Sequence, residues 1–183
     1  GLMNELKKLE DKHPSLITQD SPTQRIGGKP SGGFVSVQHS QRMLSLNDVF
    51  SDEDALAWLN RIIKLDNRVS MAEFFADIKK DGLACALIYQ NGILVQAITR
   101  GDGTTGEEVT ANVRTIGSVP LKLRADKGLE FLLEGRTEVR GEIVMLKKDF
   151  EKLNKQRAKD NQPLFANPRN LSAGTIRQLD PKL

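Results

Sequence analysis

ADIKKDGLACALIYQNGILVQAIT, residues 76–99, holds two apolar runs, Leu83 to Tyr89 and Ile93 to Thr99, separated by Gln90-Asn91-Gly92. Asn and Gly tolerate the positive φ of a tight hairpin turn, so the stretch predicts a pair of antiparallel strands. Ahead of it, Phe74 to Lys79 reads as a further extended segment, which places the hexapeptide DIKKDG, residues 77–82, beside a buried strand. An ammonium group buried there without a partner would be costly. In an extended chain side chains alternate, so Asp77, Lys79 and Asp81 share one face while Ile78 and Lys80 share the other. Lys79 therefore has a carboxylate on either side, Gly82 allows a sharp turn just beyond, and Lys80 is expected to reach solvent.

Lys79 is the candidate nucleophile. A lysine attacks phosphorus or carbonyl centres only when deprotonated, so its pKa of roughly 10.4 must be lowered by burial or by nearby cations. Flanking carboxylates push the other way, and further cations or a metal would have to join the site. The competing structural reading is an Asp-Lys-Asp row of ion pairs on an edge strand.

Working outward, Ser51 followed by Asp52, Glu53 and Asp54 is a helix start, with Ala55, Leu56, Leu59, Ile62 and Ile63 as its apolar stripe and an end near Lys64. A helix is predicted over Glu107 to Ile116, strands over Leu129 to Leu133 and Thr137 to Leu146, a basic helix from Lys148 to Ala158, and a last helix over Asn170 to Leu179 that Gly174 weakens. At the other end, NELKKLEDKH puts Leu2, Leu6 and Leu9 on one side of a short helix stopped by His13-Pro14. A chain that opens in mid-helix is expected to be cut from a longer one. The organisation predicted is a helical remnant over 1–20, an exposed Gly/Pro/Ser-rich linker over 21–34 and a compact body over 35–183. Hairpin-joined strands with helices outside make an α+β fold, not a doubly wound parallel sheet.

With 183 residues, 38% hydrophobic and 28% charged, the composition is that of a globular chain. No apolar run is long enough to span a bilayer and the start has no signal-peptide layout, so no membrane partner and a cytoplasmic location are expected. One cysteine, Cys85, and two histidines, His13 and His39, give neither an internal disulfide nor a zinc-ligand spacing. The net charge of +3 is uneven. From Lys147 onward nine Lys or Arg face four Asp or Glu, a surplus of +5 that leaves −2 for everything ahead. A basic end points to a polyanion partner, against the plainer reading of a solvated Lys-rich face.

Two more segments carry chemistry. TRGDGTTGE, 99–107, follows the second hairpin strand, and its backbone amides and Arg100 suit an anion. TEVRGEIVML, 137–146, sets Arg140 and Glu142 on one strand face, where a plain salt bridge is the alternative.

The order KxDG, TRGDG, RGE resembles the adenylation domain of NAD-dependent DNA ligases. The resemblance runs through KHPSLITQDSPTQRIGG, MLSLNDVF, IKKDGLA, TRGDGTTGEEVTANVRTI, VRGEIVM and FANPRNLSAGTIRQLDP, nearly the whole chain. It implies a nucleotidyltransferase fold of largely antiparallel sheets flanked by helices, incomplete at the C-terminus. Lys79 would attack the α-phosphorus of NAD and hold AMP, with Asp81 supporting it. Ser45, Leu46, Asp77, Arg100 and Glu142 would line the nucleotide site, and Arg169 and Arg177 would grip phosphates of nicked duplex DNA. Magnesium is the implied metal, no zinc is expected, and the chain is expected to be monomeric. Two positions depart from the family pattern: Asp77 stands where a glutamate is expected, and Lys80 replaces an apolar residue. The nicotinamide-side residues, two later lysine motifs and the family's further domains are not in the chain, so this chain alone is expected not to seal nicks and to self-adenylate weakly or not at all. The alternatives are an ATP-using nucleotidyltransferase and a non-catalytic module binding DNA or protein through its basic end. MLSLNDVF and FANPRNLSAGTIRQLDP favour the NAD-using branch.

Overall fold

The computed structural model describes residues 1–26 and 33–178. By chain contacts it divides into two units, one of residues 44–79 and one of residues 1–43 with 80–183. In chain order the elements are α1 (Leu2–Lys12), β1 (Ser36–Gln38), α2 (Asp52–Leu65), β2 (Leu83–Gln90), β3 (Ile93–Thr99), β4 (Thr105–Glu107), α3 (Thr110–Arg114), β5 (Arg136–Ile143), α4 (Lys147–Lys159) and α5 (Pro168–Ile176), with short 3-10 turns between. All strand pairs are antiparallel, so the architecture is mixed helix and antiparallel sheet.

The larger unit is built on the hairpin. Asn91 (φ 50°) and Gly92 (φ 76°) make the turn that joins β2 to β3. β5 lies on the other side of β2, in the order β3-β2-β5, while β1 pairs with β4 in a second, two-stranded sheet. Because β2 alternates, it feeds two cores. Cys85 packs with Ala97, Val109, Val113 and Ile176 against α3 and α5, while Ala86 and Ile88 pack with Ile98 and Met43 on the opposite face. The lone cysteine, Cys85, is a core residue, and burial raises its thiol to about 12. A third cluster, Tyr89, Leu94 and Leu121, is closed by the Tyr89 hydroxyl donating to the Pro120 carbonyl at 2.9 Å.

Residues 21–26 are not an exposed linker. Ser21 is buried and donates to the buried Glu10 carboxylate at 2.5 Å, and residues Pro22–Ile26 form a 3-10 turn. Arg25 then donates to the carbonyls of Arg114, Ile116 and Val119 at 3.0, 2.9 and 3.0 Å. Those carbonyls stand at and beyond the end of α3, where the Ile116 carbonyl also accepts from the Val119 N–H, so the guanidinium serves as its C-terminal cap. Of the rest of the predicted linker, 27–32 lie outside the described residues, while Phe34 packs against the first core. The last helix, predicted over Asn170 to Leu179, spans Pro168–Ile176, and Leu179 itself lies outside the described residues.

Three predicted strands fail or shift. Residues 72–81 are in no strand, and β2 starts at Leu83, opposite Ile143. The ladder begins only there because a partner strand exists only there, and the charged run ahead of it has none. Leu129–Leu133 is a 3-10 turn over Glu130–Leu133. The strand expected to reach Leu146 ends at Ile143, and the helix predicted from Glu107 shrinks to Thr110–Arg114, because Thr105–Glu107 pairs with β1.

In the smaller unit α2 opens as the sequence predicts, with the Ser51 hydroxyl accepting from the Asp54 N–H at 3.1 Å. Trp58 and Phe74 meet edge to face, ring centres 5.9 Å apart. Among the described residues no helix is long and apolar enough to cross a membrane.

Candidate active site

Of the residues singled out, Ser45, Leu46, Asp77 and Lys79 belong to the 44–79 unit, and Asp81, Arg100, Glu142, Arg169 and Arg177 to the other. Lys79 and Asp77 are exposed, and the Asp77 carboxylate accepts from the next residue's N–H, Ile78, at 2.7 Å. Since 77–81 is not a strand, alternation does not separate Lys79 from Lys80. That choice rests on the KxDG pattern alone.

The Gly-rich loop after β3 is wound on itself. Asp102 accepts from the N–H groups of Thr104 and Thr105 at 2.8 and 2.7 Å, and these bonds hold its carboxyl below its usual range. Asp102 N–H is given to the Thr105 carbonyl and Gly103 N–H to the Arg100 carbonyl. The loop's amides at 102–105 are therefore occupied, and the expected anion cradle of backbone N–H groups is not what this segment forms. Arg100, which leads into the loop, is half-buried, and its N–H bonds the Ala84 carbonyl at 2.9 Å.

A residue not singled out in the sequence backs that position. His39 is buried, and its Nε2 lies 3.1 Å from the carbonyls of both Thr99 and Arg100. Two carbonyl partners make Nε2 the protonated nitrogen, donating to both. Its own N–H bonds Thr104 O and Met43 N–H bonds Gly103 O, each at 2.9 Å, so the 39–43 segment clasps the loop.

Glu142 is exposed on β5, in register with Ala84. The Arg140 next to it is not its partner. Arg140 donates to Glu138 at 2.8 Å and to the carbonyls of Arg42 and Gln41 at 2.9 and 2.5 Å, so the plain Arg140–Glu142 salt bridge does not form. Glu138, also missed in the sequence, collects Arg136, Arg140 and the Ser40 hydroxyl. Burial alone would raise its carboxyl, but these three donors outweigh it and bring it down to about 2. A depressed carboxyl stabilises the fold above its unfolded value near 4.5 and loses that contribution as pH falls toward 2. Since Arg136 and Arg140 are partly exposed, water screening leaves about 1–2 kcal/mol of it. Urea unfolding is expected to show that much loss for Glu138→Gln at pH 7, and a difference between variant and parent that shrinks steadily as pH is lowered from 4.5 toward 2.

The two candidate DNA-binding arginines are held by acids. Arg169, placed at the start of α5 by the Asn167 side-chain cap, donates to Asp81 at 3.0 Å, and Arg177 donates to Glu107 at 2.5 Å. The first contact joins two residues predicted separately, 88 positions apart in sequence. Among the described residues no three of His, Cys, Asp and Glu converge as a metal site.

A helix and antiparallel-sheet body carrying KxDG, TRGDG and RGE in this order defines an adenylation domain. The chain belongs to the family of the NAD-dependent DNA ligase adenylation domain, whose model matches residues 31–183, and residues 1–27 match the DNA ligase-like, N-terminal NAD+-binding domain. Similar proteins include the DNA ligase of Thermomicrobium roseum, 50% identical over 183 residues, and that of Chloroflexus aurantiacus, 50% identical over 188. Another is the DNA ligase of Chloroflexus aggregans, 49% identical over 188 residues. Each match covers 100% of this chain, and the chain spans 26%, 26% and 28% of those proteins, about a quarter of their length.

Proposed function

We propose that this chain, as the adenylating part of an NAD-dependent DNA ligase with a nucleotidyltransferase fold, takes AMP from NAD onto Lys79. The observation that carries the reading is the adenylation-domain match across residues 31–183, which takes in KxDG, TRGDG and RGE. In the proposed step the deprotonated Nζ attacks the α-phosphorus and forms the N–P bond. The P–O bond to nicotinamide mononucleotide breaks, that leaving group departs with the electron pair, and the amine's proton goes to solvent. AMP then passes to the 5′-phosphate at a nick, and attack by the 3′-hydroxyl seals the strand and releases AMP. These phosphoryl transfers depend on positioning and charge stabilisation more than on covalent groups.

Ser45, Leu46 and Asp77 would line the nucleotide, Arg100 would face its ribose and phosphate, and Asp81 would support Lys79. The loop clasped by His39 provides Arg100 with a fixed backbone. With no three-carboxylate cluster among the described residues, the donor set fits a magnesium ion held mainly by the nucleotide's phosphates, with Glu142 as a protein carboxylate. When bound, the ion would neutralise phosphate charge.

Incubation of the chain with NAD labelled in its AMP half, with magnesium, tests the reading. Covalent label that depends on Lys79 supports it. Label from ATP alone would give the donor to another class, and no label from either would favour a binding module.

Arg169 and Arg177 are proposed to exchange their carboxylates for phosphates of nicked DNA. Exposed pairs such as Arg169–Asp81 contribute under about 1 kcal/mol, so Arg169→Ala is expected to leave the melting temperature within about 2 °C. A nicked-duplex titration should nonetheless show about tenfold weaker binding, because a fork that matches phosphate oxygens is lost. Unchanged affinity would remove Arg169 from the interface.

A further inference from the structure

The lysines of α4 are not used by the adenylation chemistry, and their arrangement calls for a partner. Lys148, Lys152, Lys155 and Lys159 follow one another at steps of four, three and four residues. At about 100° per residue the four fall within an arc of about 60°, a single stripe about 16 Å long on one face of the helix. They share one shallow surface with Glu151 and Gln156 and all four are exposed. The opposite face fastens the helix to its own unit. Asn154 exchanges two hydrogen bonds with the backbone of Phe165 at 3.0 and 2.9 Å, Arg157 lies 4.4 Å over the Phe165 ring, and Arg157 Nε donates to the Pro163 carbonyl at 2.6 Å.

Folding does not account for the stripe. Lysines four apart repel across one turn, and Lys147 and Lys148 occupy the first turn, where the helix dipole disfavours cations. Nor are the charges neutralised within the protein. Among the described residues none of the four ammonium groups is paired with a carboxylate, whereas Arg169 and Arg177 both are. Six Lys or Arg against two acids make α4 the most basic helix among the described residues.

We propose that this face of α4 is a docking surface for the sugar-phosphate backbone of duplex DNA, independent of base sequence. This deepens the ligase reading and rests on it. The chemistry selects the partner. Lysines are point charges suited to phosphates, and a stripe of about 16 Å faces a duplex that carries a charge about every 1.7 Å. No aromatic side chain stands on the stripe to stack unpaired bases, and no apolar anchor stands there to seat a protein. The apolar residues of the helix, Phe150 and Leu153, belong to the other side, so the stripe also lacks the apolar partner a lipid surface requires.

The test is fluorescence anisotropy of this chain with a nicked duplex at 50–200 mM KCl, each salt step on the order of the range in which phosphate contacts are read. The chain is compared with the variant Lys148→Gln/Lys152→Gln/Lys155→Gln/Lys159→Gln and with the same four positions changed to Arg. Glutamine keeps helix propensity close to that of lysine, and circular dichroism checks that α4 persists. The glutamine variant is expected to flatten the slope of log K against log salt by about 3 to 4, near 0.9 per lost contact, equally for duplexes of unrelated sequence, and the arginine variant to keep the parent slope. An unchanged slope, no duplex binding by the parent chain, or a loss confined to single-stranded RNA or an acidic protein would overturn the proposal. Transfer of AMP from NAD is followed in the same samples. Transfer retained with an unchanged slope defeats the stripe alone, and transfer absent in the parent chain defeats the adenylation reading instead.

Discussion

Lys79→Ala abolishes covalent AMP transfer from labelled NAD, and Lys80→Ala leaves it at more than about half the parent level. The expected contrast is this large because a nucleophile forms the bond to phosphorus, while its neighbour contributes at most one more positive charge. No other residue type substitutes: Lys79→Arg keeps charge and reach, but a guanidinium does not deprotonate in proteins, so it too is expected to give no label. The pair of lysines makes the experiment decisive. Both are exposed and both lie outside the strands, so neither burial nor alternation favours one of them. Only the spacing to Asp81 and Gly82 does. If Lys80→Ala removes the label and Lys79→Ala does not, the motif has been set one residue out of register, and the roles assigned to Asp77 and Asp81 move with it. The bond formed is also diagnostic. A phosphoramide is cleaved by acid and survives mild base, so label that behaves in the opposite way would indicate an ester on a hydroxyl or carboxyl side chain, with no lysine involved.

What the sequence made legible in this chain was local. Ser51 with three acids behind it specified the start of α2, and Asn91-Gly92 specified the hairpin, because in each case the residues that carry the information are the ones that make the contact. Phe74–Lys79 and Leu129–Leu133 have strand-like composition but no strand beside them, and composition alone does not form a ladder. Arg25 sits in a Gly/Pro/Ser-rich stretch that reads as a linker, yet its three acceptors are about ninety residues away in α3 and just after it. Glu138 looks like one charge among several on β5 until the fold brings Ser40 to it.

The candidate site divides in the same way. Its chemistry was readable as motif order, and the two family models bear out the membership that order implied. Its supporting structure was not. Asp102 turned the loop's amides inward, and His39 became a clamp on the carbonyls of Thr99 and Arg100, through contacts that join segments about 60 residues apart. A Gly-rich loop signals that the backbone must turn tightly. It does not say whether the amides so exposed will be taken by a ligand or by the loop's own aspartate.

Two glycines make the point measurable. TGE at 105–107 and RGE at 140–142 look alike in the sequence, each a glycine ahead of a glutamate in a strand. A Cβ on Gly106 would overlap the Thr99 carbonyl oxygen and come within 2.9 Å of the Thr99 carbonyl carbon and of Ile98 Cγ2, whereas a Cβ on Gly141 meets nothing within 4 Å. Neither glycine has positive φ, so conformational preference plays no part in the difference. Thr99 has little freedom to yield. Its carbonyl accepts from His39, its hydroxyl accepts from the Glu107 N–H at 3.0 Å, and the residue lies in β3, opposite Cys85. Gly106→Ala must therefore separate β4 from the end of β3, and is expected to cost about 3 kcal/mol or more, about 6–12 °C in melting temperature. Gly141→Ala is expected to stay within about 0.5 kcal/mol of the parent, or to gain slightly from the lower entropy of its unfolded chain. Because moving Thr99 also moves Arg100, Gly106→Ala should weaken AMP transfer even at a temperature where the variant is fully folded. Equal melting temperatures for the two variants would mean that β3 and β4 are not packed as closely as their backbones indicate, and the fixed position argued for Arg100 would go with that packing.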